Sequence, residues 1–137
     1  MTVVYESGTN VIHRADAREV AATFAPGAVS LAVLDGPYAM RKTSWDCMRP
    51  SDLADWYQPH FDDVDRLCGS SATLYVWGSD ESEPLLRPSL RARGWRFRVS
   101  IVWDKGVPAN AMGWTTVGGW AQATERCGVW TRGAARI

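Results

Sequence analysis

LAVLDGPYAM, residues 31–40, runs four apolar residues directly into an acid, a glycine, a proline and an aromatic ring. With the preceding AVS (residues 28–30) the run is β-branched and apolar on both faces, which suits a buried strand of a parallel sheet ending at Asp35. Two further runs read the same way: ATLYVWGS (72–79) and RFRVSIVWDKG (96–106). ERCGVWTRG (125–133) reads as a fourth strand.

Helical patterns separate these strands. DAREVAATF (16–24) reads as a short helix with Asp16 as its N-cap. A longer helix opens at Ser51, where Leu53, Trp56, Tyr57, Phe61, Val64 and Leu67 recur at helical spacing around a Pro59 that is expected to kink it. EPLLRPSLRARGW (83–95) reads as a third helix closing at Gly94. At the start, TVVY (2–5) and NVIHRA (10–15) are short strand candidates across a turn. Alternating strands and helices predict a single α/β domain over residues 1–137, a partial Rossmann-like sheet of mostly parallel strands with flanking helices. Ligands of such sheets sit at the carboxyl ends of strands. Asp35, Ser79 and Asp80 fall there.

Asp35 brings a carboxylate acceptor, and Gly36 brings a backbone carbonyl beside it. Two adjacent acceptors suit both hydrogens of one amino group. A base amine such as adenine N6 is a poor nucleophile because its lone pair is delocalised. Gripping both hydrogens pulls the nitrogen toward tetrahedral geometry and frees that pair, while the Tyr38 ring stacks on a flipped-out base.

Asp35, Pro37 and Tyr38 match the Asp-Pro-Pro-Tyr motif of the DNA amino-methyltransferases that modify adenine N6 or cytosine N4, in the permuted group whose catalytic motif comes early. The chain resembles that family from about residue 10 to residue 133. Residues 11–40 are similar to its opening strand, short helix and catalytic strand. TSWDCMRPSDLADWYQPHFDDVDRLCGSSATLYVWGSD (43–80) is similar to its next segment: a Trp-Asp pair (Trp45, Asp46), a helix, then a strand reading like LYVWGS. GWRFRVSIVWDKG (94–106) resembles a strand ending in Trp-x-Lys. MGWTTVGGWAQATERCGVWTRG (112–133) resembles the loop and final strand, where Glu125 matches a recurrent acid.

The resemblance implies S-adenosylmethionine-dependent methylation of an exocyclic amine in DNA, with adenine favoured over cytosine. Asp35, Gly36, Pro37 and Tyr38 would be catalytic, and Asp16 and Asp35 would border the cofactor. DNA would meet Arg41, Lys42, Trp114 and Trp120. Each of these outer residues keeps a plain structural reading too: solvated loop cations, tryptophans packing a loop, and for Asp16 an N-cap. Glu125 is read as a brace for the loop and Trp103 with Lys105 as shaping the sheet end. Asp80 either lines the cleft or starts a helix.

Two departures stand out. Gly36 replaces a proline, keeping the carbonyl and losing a fixed φ. No Phe-x-Gly-x-Gly cofactor turn occurs in the sequence, nor is a separate target-recognition domain expected. The chain is therefore expected to be a catalytic-motif half. Its catalytic strand would lie near an open edge, covered by TVVY and NVIHRA or by another chain, whether a second copy or one supplying the cofactor half. The competing expectations are an inactive methyltransferase-like module that binds DNA or a protein partner, and a small enzyme acting on a free nucleotide.

Bulk composition agrees with a globular chain: 46% hydrophobic, 22% charged, with 15 basic against 15 acidic residues. Net charge therefore selects neither nucleic acid nor membrane as a partner. The eight tryptophans are read mainly as packing. Cys47, Cys68 and Cys127 are widely spaced and His13 and His60 isolated, so no metal site is expected, and the cysteines are read as reduced thiols. Without a signal pattern or a long apolar run, the expectation is a soluble cytoplasmic protein away from membranes.

Overall fold

The computed structural model describes residues 2–41, 43–106 and 124–135. Strands β1 (Thr2–Ser7) and β2 (Asn10–Arg14) form an antiparallel hairpin closed at Gly8, whose φ of 58° favours glycine. Helix α1 (Ala17–Ala21) is shorter than the sequence pattern. The Asp16 carboxylate caps it, accepting the Arg18 N–H at 2.8 Å. Strand β3 (Leu31–Leu34) leads to a 3-10 turn (Pro50–Asp52) that opens α2 (Leu53–Cys68), which runs on through Pro59. Strand β4 (Ala72–Gly78), helix α3 (Ser82–Ala92), strand β5 (Arg96–Asp104) and strand β6 (Thr124–Arg132) complete the described elements.

The main sheet has the order β3-β4-β6-β5. Strand β3 pairs parallel with β4, but β6 pairs antiparallel with both β4 and β5. The expectation of a mostly parallel sheet is thus corrected: the sheet is mixed. The helical crossovers give β3, β4 and β5 one direction, and β6 inserts reversed between β4 and β5. An apolar run does not encode its direction, because burial on both faces looks alike in either sense.

One face of the sheet carries the core. Leu53, Tyr57, Phe61, Val64 and Cys68 form the buried stripe of α2 and join Leu74, Val76 and Trp130 of the sheet with Leu86 and Leu90 of α3. Each fully buried large side chain contributes about 1.5–3 kcal/mol of transfer free energy. Asp65 cross-links this layer, accepting from Trp95 Nε1 at 2.9 Å and pairing with Arg93 at 2.8 Å and with Arg132 of β6.

The opposite face is open at its flanks. Leu31 and Val33 of β3 and Val99, Ile101 and Trp103 of β5 are about half exposed. Among the described residues, strand β3 is an edge strand with β4 as its one partner. Of the two covers expected for that edge, the N-terminal strands do not extend it, because β1 and β2 pair with each other in a separate sheet. Among the described residues no helix is long and apolar enough to cross a membrane, and no group of three or more His, Cys, Asp or Glu is placed to hold a metal.

Candidate active site at the end of strand β3

Strand β3 releases the chain at Asp35, at the carboxyl end of a strand parallel to its neighbour. Pro37 is buried beneath the turn, while Gly36 and Tyr38 remain partly exposed. Asp35, Gly36 and Tyr38 line a cleft of about 320 Å³ together with Met40, Trp45 and Glu125. That volume lies in the range of small-ligand sites.

Inside the cleft, the Tyr38 hydroxyl donates to Asp35 Oδ1 at 2.7 Å. Burial, and then the Asp35 carboxylate beside it, push the Tyr38 phenol well above its ordinary range. Tyr38 therefore stays protonated and remains a donor. Its bond uses part of one carboxylate oxygen and leaves acceptor capacity on the other. The resting site is thus a self-paired acid and ring, which an incoming amine must join or displace.

The chain then turns sharply. Ala39 and Arg41 have φ of 58° and 56°, in the left-handed region where side chains cost energy. Asp46 holds this conformation. Its buried carboxylate accepts the Ala39 N–H at 2.7 Å and the Met40 N–H at 3.2 Å. On strand β6, Glu125 pairs with Lys105, whose ammonium lies 5.4 Å from the Trp103 ring centroid.

Tyr57 of α2 supports the turn from below. Its hydroxyl donates to the Pro37 carbonyl at 3.5 Å. Burial pushes the Tyr57 phenol above its ordinary value of about 10. The unfolded chain therefore loses these protons before the folded one, and unfolding releases protons at high pH. The stability supplied by Tyr38 and Tyr57 is expected to be complete below about pH 10 and to fall above it. Chemical denaturation in Tyr57→Phe should show a shallower alkaline loss.

The site gathers Asp35, Gly36 and Tyr38, as read from the sequence, and adds Glu125. Asp16 lies at the start of α1 as its cap and does not line this cleft. Arg41 is exposed on the loop after Tyr38. Lys42, Trp114 and Trp120 lie outside the described residues. Asp80 pairs with Arg126, while Ser79 and Ser82 exchange backbone-to-hydroxyl bonds of 2.8 and 3.1 Å at the start of α3. Three residues went unassigned to the site in the sequence: Asp46, Trp45 and Tyr57. A short acidic side chain after a tight loop is a signal for the first. Trp45 stands with Asp46 as the Trp-Asp pair of the resembled segment, with no role in the site attached, and Tyr57 reads simply as part of a helical stripe.

No protein-family model matches the chain, and no curated protein matches it. Solved structures do. TTHA0409 from Thermus thermophilus, designated a DNA modification methylase, superposes with a TM-score of 0.62 at 21% identity over 92% of this chain. M1.HpyAVI gives 0.62 at 18% identity over 90%, and its complex with SAM gives 0.57 at 20% identity over 90%. Over the part it spans, the chain has the fold of these proteins. It spans about half of them, 56% of the TTHA0409 chain and 56% of M1.HpyAVI.

Proposed function

We propose that this chain carries the base-gripping site of an S-adenosylmethionine-dependent DNA amino-methyltransferase, acting on adenine N6 in preference to cytosine N4. The observation that carries this reading is the cleft at the end of β3, where the Asp35 carboxylate and the Gly36 backbone lie beside the Tyr38 ring. In this reading one amine hydrogen goes to Asp35 and the other to the Gly36 carbonyl. The pair of acceptors draws the nitrogen out of conjugation and orients its lone pair. Tyr38 stacks on the base and holds its plane. Trp45, 68% exposed at the cleft, offers a second aromatic surface. Adenine is favoured because its larger ring system offers more stacking area to these two side chains.

The described residues do not by themselves make a site for S-adenosylmethionine. Asp16 spends its carboxylate on the cap of α1, and the sequence contains no glycine-rich strand-to-helix turn of the kind that holds a nucleotide cofactor. The reading therefore includes a second polypeptide segment that supplies the cofactor site and seats on the open edge of β3. Leu31 and Val33, 52% and 55% exposed on an edge strand, support that placement.

The same shortfall favours a second reading, a methyltransferase-like module that binds DNA or a protein partner without transferring methyl. Transfer of labelled methyl to DNA, abolished by Asp35→Ala, decides for the enzyme.

The grip itself is tested without cofactor. A single-stranded oligonucleotide with one adenine is compared with one carrying unsubstituted purine at that position. A site built on amine acceptors is expected to favour adenine by about tenfold or more, because the purine leaves both acceptors unpaired. Equal affinities for the two oligonucleotides would sink the reading.

A further inference from the structure

We infer that Tyr57 is a positioning residue for the Gly36 carbonyl, its single hydroxyl replacing the stiffness of the absent proline, and that residue 36 is glycine because this hydroxyl occupies the space a side chain would need. The inference rests on the reading of Gly36 as an amine acceptor.

The geometry is tight. A Cβ built on Gly36 would lie 2.5 Å from the Tyr57 hydroxyl oxygen and 3.1 Å from Cζ, with Trp56 next at 3.5 Å. Tyr57 has no room to yield. It is 1% exposed, stacked on Phe61 at 5.4 Å and edge-on to Trp56 at 5.0 Å. Interiors packed at this density do not absorb an overlap of that size without moving the backbone.

The hydroxyl touches the turn on both sides of the functional carbonyl. It donates to the Pro37 carbonyl at 3.5 Å, and its oxygen lies 2.5 Å from the point a Gly36 Cβ would take. Proline at position 36 would set its ring against the phenol. Pro37 already restricts ψ of the residue before it to extended values. The soft torsion left at Gly36 is φ, and the phenol packed against its Cα limits how far it can turn. The backbone on either side of the Gly36 carbonyl is thus held against one oxygen atom.

Tyr57→Phe removes that atom and little else. By amide hydrogen exchange, Gly36 is expected to lose at least about tenfold in protection while Leu74 and Val76 of β4 keep theirs. The adenine-over-purine preference should fall in parallel, with the overall fold retained. Gly36→Ala should be strongly destabilising in the parent chain, and much less so combined with Tyr57→Phe, where the 2.5 Å overlap is gone. Unchanged Gly36 protection in Tyr57→Phe overturns the inference whatever the chain binds. So does an equal penalty for Gly36→Ala in both backgrounds. A parent chain with no adenine preference overturns the functional reading instead, independently of the exchange result.

Discussion

Asp46→Ala is expected to lower the unfolding free energy by about 2–4 kcal/mol and to release the loop that forms one wall of the cleft. Asp46 is 5% exposed, and its carboxylate accepts two backbone N–H groups, from Ala39 at 2.7 Å and Met40 at 3.2 Å. Hydrogen bonds to a charged acceptor contribute about 1.5–3 kcal/mol each, and alanine would leave both donors without a partner in a buried place. These two bonds also hold backbone that resists its conformation, since Ala39 and Arg41 both sit at positive φ. Relief of that strain offsets part of the loss, which keeps the expected figure below the sum of two full bonds. Asp46→Asn retains one side-chain acceptor oxygen and should fall between parent and alanine. The denaturant midpoint reads the stability, and amide exchange at Ala39 and Met40 reads the loop. If those two amides stay protected in Asp46→Ala, the loop is held by something else.

Asp46 also marks where the sequence stops being readable. The strands and helices were legible because each announces itself locally: LAVL by an unbroken apolar run, ATLYV by a run broken only at Thr73, α2 by a stripe from Leu53 to Leu67, α1 by Asp16 at its cap. The site's centre was legible for a different reason, since Asp35, Gly36 and Tyr38 are close neighbours in the chain and need no folding to meet. What could not be read depends on pairings between distant segments. The reversed insertion of β6 between β4 and β5 is a pairing with two distant segments, and nothing in ERCGVWTRG states it. Tyr57 lies 20 residues beyond Pro37 and meets it only when α2 packs under β3. The choice of glycine at position 36, puzzling in one dimension, is explained by that contact in three.

Among substitutions at the grip, Tyr38→Ala and Asp35→Ala are expected to have the largest effects on base binding, and Tyr38→Phe almost none. Stacking on an aromatic ring is worth about 1–3 kcal/mol per base, so alanine at position 38 should weaken adenine binding by roughly 5- to 150-fold. Losing the acceptor at Asp35 should cost a similar amount and sharply lower the preference for adenine over purine, because the Gly36 carbonyl is then the one acceptor left for the amine. Tyr38→Phe separates the two roles. It keeps the ring and deletes the hydroxyl that occupies Asp35 Oδ1 at 2.7 Å. If that internal bond merely parks the carboxylate, phenylalanine frees an acceptor and adenine should bind as well as before or a few times more tightly. Its preference over purine should hold or rise. If the hydroxyl instead aims Asp35 at the amine, phenylalanine should lose the preference while retaining general affinity for single strands. Fluorescence titration of the two oligonucleotides against the three variants distinguishes these outcomes. A Tyr38→Phe chain as defective as Tyr38→Ala would remove stacking from the account and leave the hydroxyl as the group that matters.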